Sequence, residues 1–375
     1  MQSAPAAAAR CGRSPQRAPP ARSARVSAPA GAGVASFARR AAPACVRPPA
    51  TPRAERKVVV RAESGSASPA EEEGKDGFEI LLPYAYGAMA VAFAAYFAVG
   101  VAAPEKLMSD VCFAGLSNTA FQGTGALEAA LTRLAACAAA APAAACWSLR
   151  SAAMHDRLKS TTYQRLNIGI ALFALFQGFA DTLLRYLELQ APCKASIIVG
   201  GVLPFVIASL GLWKGGISGE KLALVEDLVV AEDYKALADR PVATPRAAAH
   251  TIGYCVFMFT GVVLGLAPQE VLQWLGVDAP SSAACHIVRC VGALSFVTGK
   301  GHAVLKDGWN RGRLGASTFK QMDLGIGVAG VGQAAALGAA AASGVAAVSA
   351  ATCIMCATWG VTGAFALYGF LTDKK

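Results

Sequence analysis

Apolar residues in this chain run in long, nearly uninterrupted stretches rather than alternating with polar ones. A helix rises 1.5 Å per residue, so about 20 apolar residues span a hydrocarbon core. Eight stretches meet that length, near 80–103, 127–149, 166–186, 195–213, 249–267, 284–305, 324–343 and 346–371. The last two are dominated by Ala and Gly and are separated by a short turn at Ser343-Gly344. The pattern predicts an all-α integral membrane protein with eight transmembrane helices.

Composition agrees. The chain is 55% hydrophobic, only 15% charged, and has a mean hydropathy of +0.44, outside the habit of soluble globular domains. Its formal charge of +10 would raise nucleic acid as a partner. Twelve of the 34 cations, however, crowd into residues 1–62 against a single acid, Glu55, and the rest of the chain is close to neutral. Nucleic acid is therefore not expected.

Residues 1–62 are rich in Ala, Arg, Ser and Pro and lack an apolar core segment, which predicts a disordered plastid transit peptide rather than a secretory signal. Val58-Val59-Val60-Arg61-Ala62 reads as its processing site. Residues 63–79, with Glu71-Glu72-Glu73, read as an acidic disordered tail.

The cations supply an independent test of the span count. Both termini and the connections after spans two, four and six must share one side. They hold Lys75; Arg150, Arg157, Lys159 and Arg165; Lys214, Lys221, Lys235, Arg240 and Arg246; Lys306, Arg311, Arg313 and Lys320; and Lys374 and Lys375. The opposite side has only Lys106 and Lys194. That asymmetry is a positive-inside signature, and in a plastid it places both termini in the stroma. Thylakoid and inner envelope both fit.

Shifting the chain by 156 residues aligns 131–177 with 287–333 without a gap. Arg133/Arg289, Arg157/Arg313, Thr162/Thr318, Gly169/Gly325 and Gln177/Gln333 are identical, and Asn167 answers Asp323. At a different offset Ala103-Pro104 answers Ala267-Pro268. The expectation is two tandem four-helix repeats, 80–213 and 249–375. Four spans is an even number, so the repeats enter the membrane in parallel orientation. The linker, 214–248, contains an amphipathic stromal helix over 220–237. With Arg133 and Arg289 early in the second span of each unit, the four-span layout resembles bacterial four-helix membrane families of the DoxX-like kind. The resemblance implies a four-helix fold for each half and assigns no residue a role.

Polar groups inside spans are expensive in hydrocarbon and face a partner or a cavity. Arg133, Arg289, Gln177, Gln333, Asn167 and Asp323 form a repeated polar set, the candidate substrate-binding residues. They make either two quasi-equivalent sites or one shared site between the halves. The structural alternative has the arginines reaching the interface, the glutamines bonding neighbouring helices, and Asn167 and Asp323 capping helix starts. Lys300 is expected to reach the interface, and Thr318 with Gln321 fits a capping box. Asp181 and Arg185, i and i+4 in the first half, could pair. Gly261-x-x-x-Gly265 and the row Gly330, Ala334, Gly338, Ala342 suit close helix packing. Cys353-Ile-Met-Cys356 lies in an apolar span and reads as packing. Cys112, Cys193 and Cys285 share the lumenal side, where one disulfide could form. No metal-ligand spacing, phosphate loop or nucleophile motif is present, so neither metal, cofactor nor enzymatic activity is expected. Two functional readings remain. One is a small-solute transporter or channel-like protein with a polar path between the halves. The other is a non-catalytic scaffold or assembly factor for photosynthetic complexes, partnered by the bilayer and membrane-complex subunits. Homo-oligomer formation stays open.

Overall fold

The computed structural model describes residues 77–107, 125–187, 197–217 and 244–373, the side chains of 78, 79, 180–187 and 197–199 excepted. The transit peptide, the acidic tail up to residue 76, the linker helix over 220–237, Cys112, Cys193 and the side chains of Asp181 and Arg185 lie outside the described residues.

The described residues are all-helical. In chain order they form α1 (Gly77–Ala102), α2 (Pro104–Leu107), α3 (Ala126–Ala138), α4 (Ala140–Met154), α5 (Thr161–Leu187), a π turn (Ile197–Val202) leading into α6 (Leu203–Lys214), α7 (Pro245–Leu266), α8 (Pro268–Trp274), α9 (Ser282–Asn310), α10 (Ser317–Ala342) and α11 (Ala350–Thr372). Among the described residues, six helical units are long and apolar enough to cross a membrane: α1, α3 with α4, α7, α9, α10 and α11. The third and fourth sequence-predicted spans coincide with α5 and with Ile197–Lys214, which are helical but not among those six.

Boundaries moved for identifiable reasons. The second span is interrupted at Ala139. Pro142 has no N–H for the Ala138 carbonyl, so the ladder breaks one turn upstream of it. α5 and α10 begin at Thr161 and Ser317, earlier than hydropathy suggested, because polar turns of helix precede the apolar run. Asn167 and Asp323 therefore sit six residues inside their helices and cap neither start. The expected capping box is also not formed. Ala316 is the N-cap of α10 and makes no side-chain cap bond. Thr318 instead lies 3.0 Å from the Tyr163 hydroxyl, and the Gln321 carbonyl oxygen accepts from Ser148 at 3.1 Å.

α9 occupies the centre, buried along almost its whole length. Four glycines let neighbours close around it. A Cβ at Gly292 would lie 2.9 Å from Gly265 N, at Gly299 3.0 Å from Met258, at Gly301 2.7 Å from Ile326 and at Gly308 2.6 Å from Phe319. Gly261 thus faces Phe296 and Gly292 of α9, while Gly265 leaves room for Phe176 of α5, both as packing residues. α9 packs on α7, α5 and α3, while α10 packs on α11 and on α3 with α4. α1 packs on α3 with α4, and α5 on α6. α5 therefore lies against α9, and α10 against α3 with α4.

The connections at residues 155–160 and 311–316 share one geometry. Arg157 N donates to Ala152 O and Arg313 N to Gly308 O, both at 2.8 Å, and Ser160 and Ala316 close the turns alike. The turn residue with positive φ is Asp156 (49°) in the first and Gly312 (65°) in the second. Changing Gly312 to Ala should lower stability by about 1–2 kcal/mol, because a Cβ in the left-handed region meets the following carbonyl. Asp156→Gly should be neutral or stabilising. Thermal unfolding in mild detergent checks both.

Candidate functional site

Ionisable side chains collect at the end of the bundle that carries these two turns. α7 starts there, with Thr244 accepting from Ala247 N at 3.2 Å and Pro245 at its first position, a favourable start for φ and for the missing donor. This places Arg246 in the first turn, aimed between α10 and α11. Its Nη2 donates to Asp323 Oδ2 at 2.8 Å and its Nη1 to Asp373 Oδ1 at 2.7 Å. Asp323 is fully buried, and the Arg246 side chain is 13% exposed. Gly369, one turn before Asp373 on α11, leaves room for the guanidinium, which a Cβ there would overlap.

One turn deeper on α7 lies His250. Its Nδ1 is 3.2 Å from Nδ1 of His302 on α9, and both residues are fully buried. One hydrogen can be shared across that contact, so the two rings must take complementary tautomers. Neither Nε2 has a hydrogen-bond partner. Gly253 provides the space for His302, and Phe257 stacks on its ring at 5.5 Å and 22°.

α9 adds Lys300, Lys306 and Asp307, all buried. Lys306 Nζ donates to Asn310 Oδ1 at 3.2 Å and sits 4.9 Å from the Trp309 ring centroid. Asp307 accepts from Arg311 at 3.0 Å and pairs with Arg165 of α5 at 3.4 Å. Lys300 does not reach an interface: it is fully buried, with its ammonium 5.8 Å from the Tyr254 ring centroid.

A neutral set occupies the positions that the sequence shifts relate to these. Tyr86 of α1 donates to Asn167 Oδ1 at 2.5 Å, beside fully buried Cys146. A Cβ at Gly211 of α6 would overlap the Tyr86 hydroxyl. The 156-residue shift turns Asn167 into Asp323 and Cys146 into His302. The shift of 164 that relates the first spans turns Tyr86 into His250.

Of the six residues nominated from sequence, the structure places Asn167 and Asp323 in these two sites. Gln177 and Gln333 are buried farther along α5 and α10, and neither amide atom of Gln333 has a partner. Arg133 lies toward the opposite end, its side chain 46% exposed and 4.0 Å from Glu105. Arg289 precedes Asp307 by 18 residues on α9, roughly 27 Å of helix. The two arginines thus share no site with Asn167 and Asp323. Sequence reasoning passed over Arg246, His250, Tyr86, Cys146 and the Arg165–Asp307 pair. The signal for Tyr86 and His250 was present: extending the first-span alignment inward by one helix superposes them.

Other polar groups resolve as packing. Cys356 Sγ donates to Ala334 O at 3.6 Å and Gly330 lies against Trp359 O and Gly363, so Gly330 and Ala334 of the small-residue row face α11, whereas a Cβ at Gly338 would meet nothing within 4 Å. Cys290 Sγ lies 3.6 Å from His286 Nε2 within one turn of α9. Among the described residues, no three His, Cys, Asp or Glu side chains gather as metal ligands. No protein-family model matches the chain and no curated protein is similar to it, so the likeness in layout to DoxX-like families has no counterpart at the level of sequence.

Proposed function

We propose that this is a plastid multi-pass membrane transporter of small solutes, non-enzymatic, built from two parallel four-helix halves that together cross the membrane eight times. The observation that carries the reading is the ionisable cluster of Arg246, Asp323, Asp373, His250 and His302, with Asp323 and both histidines fully buried, in a bundle whose helices are apolar enough to span. Ionisable groups at such depth are costly and mark solute or ion pathways. The reciprocal packing of α5 on α9 and of α10 on α3 with α4 supports a duplicated architecture. The sixteen-to-two cation asymmetry supports eight crossings with both termini in the stroma. In this arrangement the second half holds the solute and the neutral first half, with Tyr86 and Asn167, serves as the frame.

The scaffold reading draws on one specific observation. α9 is buried nearly end to end and its Asp307 is paired with Arg165 of α5, as in a helix bundle built for rigidity. Purification of the processed protein from plastid membranes in mild detergent, followed by native-mass sizing, separates the two. A monomer or dimer is expected. Migration within a large pigment–protein complex overturns the transporter reading in favour of the scaffold.

A panel of labelled inorganic phosphate, dicarboxylates and amino acids offered to liposomes then tests transport. With a transported solute in hand, Asp323→Asn, which copies the first half, should lower uptake at least tenfold. Arg133→Ala should stay within twofold of the unchanged protein. Equal uptake by both variants removes the second-half site.

A further inference from the structure

α1, α4 and α10 enclose a groove with a volume of about 290 Å³. Its floor is Gly325, pressed against Ala144, and its walls include Ala94, Phe97, Ala140 and Leu324. No charged side chain lines it. It opens sideways, since Ala94, Leu324 and Trp147 on its rim are exposed.

The second half provides an internal comparison. The residues answering Ala94, Ala140 and Ala144 are Met258, Phe296 and Lys300. Phe296 and Lys300 are buried there, and a Cβ at Gly169, the counterpart of Gly325, would lie 3.2 Å from the Lys300 stem. The same helix crossing is therefore filled in one half and open in the other. The difference is made by the side chains at three positions.

At one end of the open groove stands Trp147, 45% exposed, with the Arg150 guanidinium 4.9 Å from its ring centroid. Arg150 lies one turn from the α4–α5 connection, on the end of the bundle that gathers the cations. Its counterpart, Lys306, is instead fully buried. A half-exposed indole beside a guanidinium, above an uncharged slot, matches a lipid at the membrane interface. The chain enters the slot, the headgroup meets the cation, and Trp marks the boundary.

We propose that this groove binds one acyl chain of an anionic glycerolipid, with Arg150 holding the headgroup phosphate. The test uses the full processed chain in nanodiscs of equal phosphatidylglycerol and phosphatidylcholine, extracted into mild detergent and read by native mass spectrometry. One retained lipid per chain is expected, with phosphatidylglycerol preferred at least threefold.

Ala140→Phe, which copies the closed half, should lower retention at least tenfold with an unchanged thermal midpoint. Arg150→Gln should keep a lipid but abolish the preference. If Ala140→Phe does not fold, Ala94→Met on the opposite wall takes its place. Absence of retained lipid in the unchanged protein, equal retention of both lipids, or full retention after filling overturns the proposal. A dimer that dissociates on filling while no lipid is lost assigns the groove to a second copy of the chain, and overturns it too.

Discussion

Replacing Arg246 by leucine is expected to lower the stability of the bundle by about 3–5 kcal/mol, because it leaves a buried carboxylate without its counter-charge. Asp323 is fully buried, and one of its oxygens, Oδ1, already has no partner. The 2.8 Å contact with Arg246 is the ion pair that compensates it. Asp373 also loses a bond, but at 20% side-chain exposure on a helix end it can be hydrated in place. The residues that the sequence shifts relate to this pair carry no charge: Leu82 answers Arg246 and Asn167 answers Asp323. The double variant Arg246→Leu with Asp323→Asn should therefore recover most of the loss. Unfolding measured for the two single variants and the double forms a double-mutant cycle, with an expected coupling of about 2 kcal/mol or more. Additive single effects would show that Asp323 does not depend on Arg246.

The second large effect is expected at Gly363 of α11. A Cβ there would lie 2.7 Å from Val331 N and 3.0 Å from Gly330 Cα, and a Cβ at Gly330 would lie 2.6 Å from Trp359 O. These are contacts with main-chain atoms, which no rotamer change relieves, so α10 and α11 must move apart. Between lipid-facing helices, association rests on close van der Waals contact rather than on the hydrophobic effect. Separation would also loosen Trp359, which is 1% exposed, and the Cys356 bond to Ala334. Gly363→Val should cost about 1–3 kcal/mol, as overpacking does in other tightly filled interiors. Gly338→Val on α10 is the control, since a Cβ there meets nothing within 4 Å. Thermal midpoints in mild detergent check the pair. Equal midpoints would mean that the close crossing does not limit stability.

How much of the site could be read in advance varies residue by residue. Asn167 and Asp323 stood out because an amide and a carboxylate recur at one spacing inside apolar runs. Their partners did not stand out. Arg246 looks like a loop cation after Pro241 and Pro245, and only Thr244 capping with Pro245 at the first helical position puts it in the opening turn of α7. His250 and His302 are 52 residues apart and join only because α7 packs on α9. Arg133 and Arg289 looked like site residues from recurrence alone, yet their depth along the helix puts them near the other end. Recurrence reports that two halves use a residue alike, and not where along the bundle it points.

The chain's hydropathy by itself determined that the described residues are helical, with apolar helices compatible with a membrane, and roughly where those helices lie; that residue pairs repeat at a spacing of 156 was also legible in the sequence. The helix positions follow from bilayer thickness and helix rise, which act on contiguous stretches and need no knowledge of neighbours. The tertiary structure alone decided that α9 is the central helix, that α5 packs on α9 and that α10 packs on α3 with α4. It also brought Arg246, Asp323 and Asp373 together from three helices. These helices are apolar on nearly every face, so no stripe of polarity tells one contact face from another. The choice is made by the shape of Gly, Ala and aromatic side chains meeting across interfaces, which exists only once the helices are assembled.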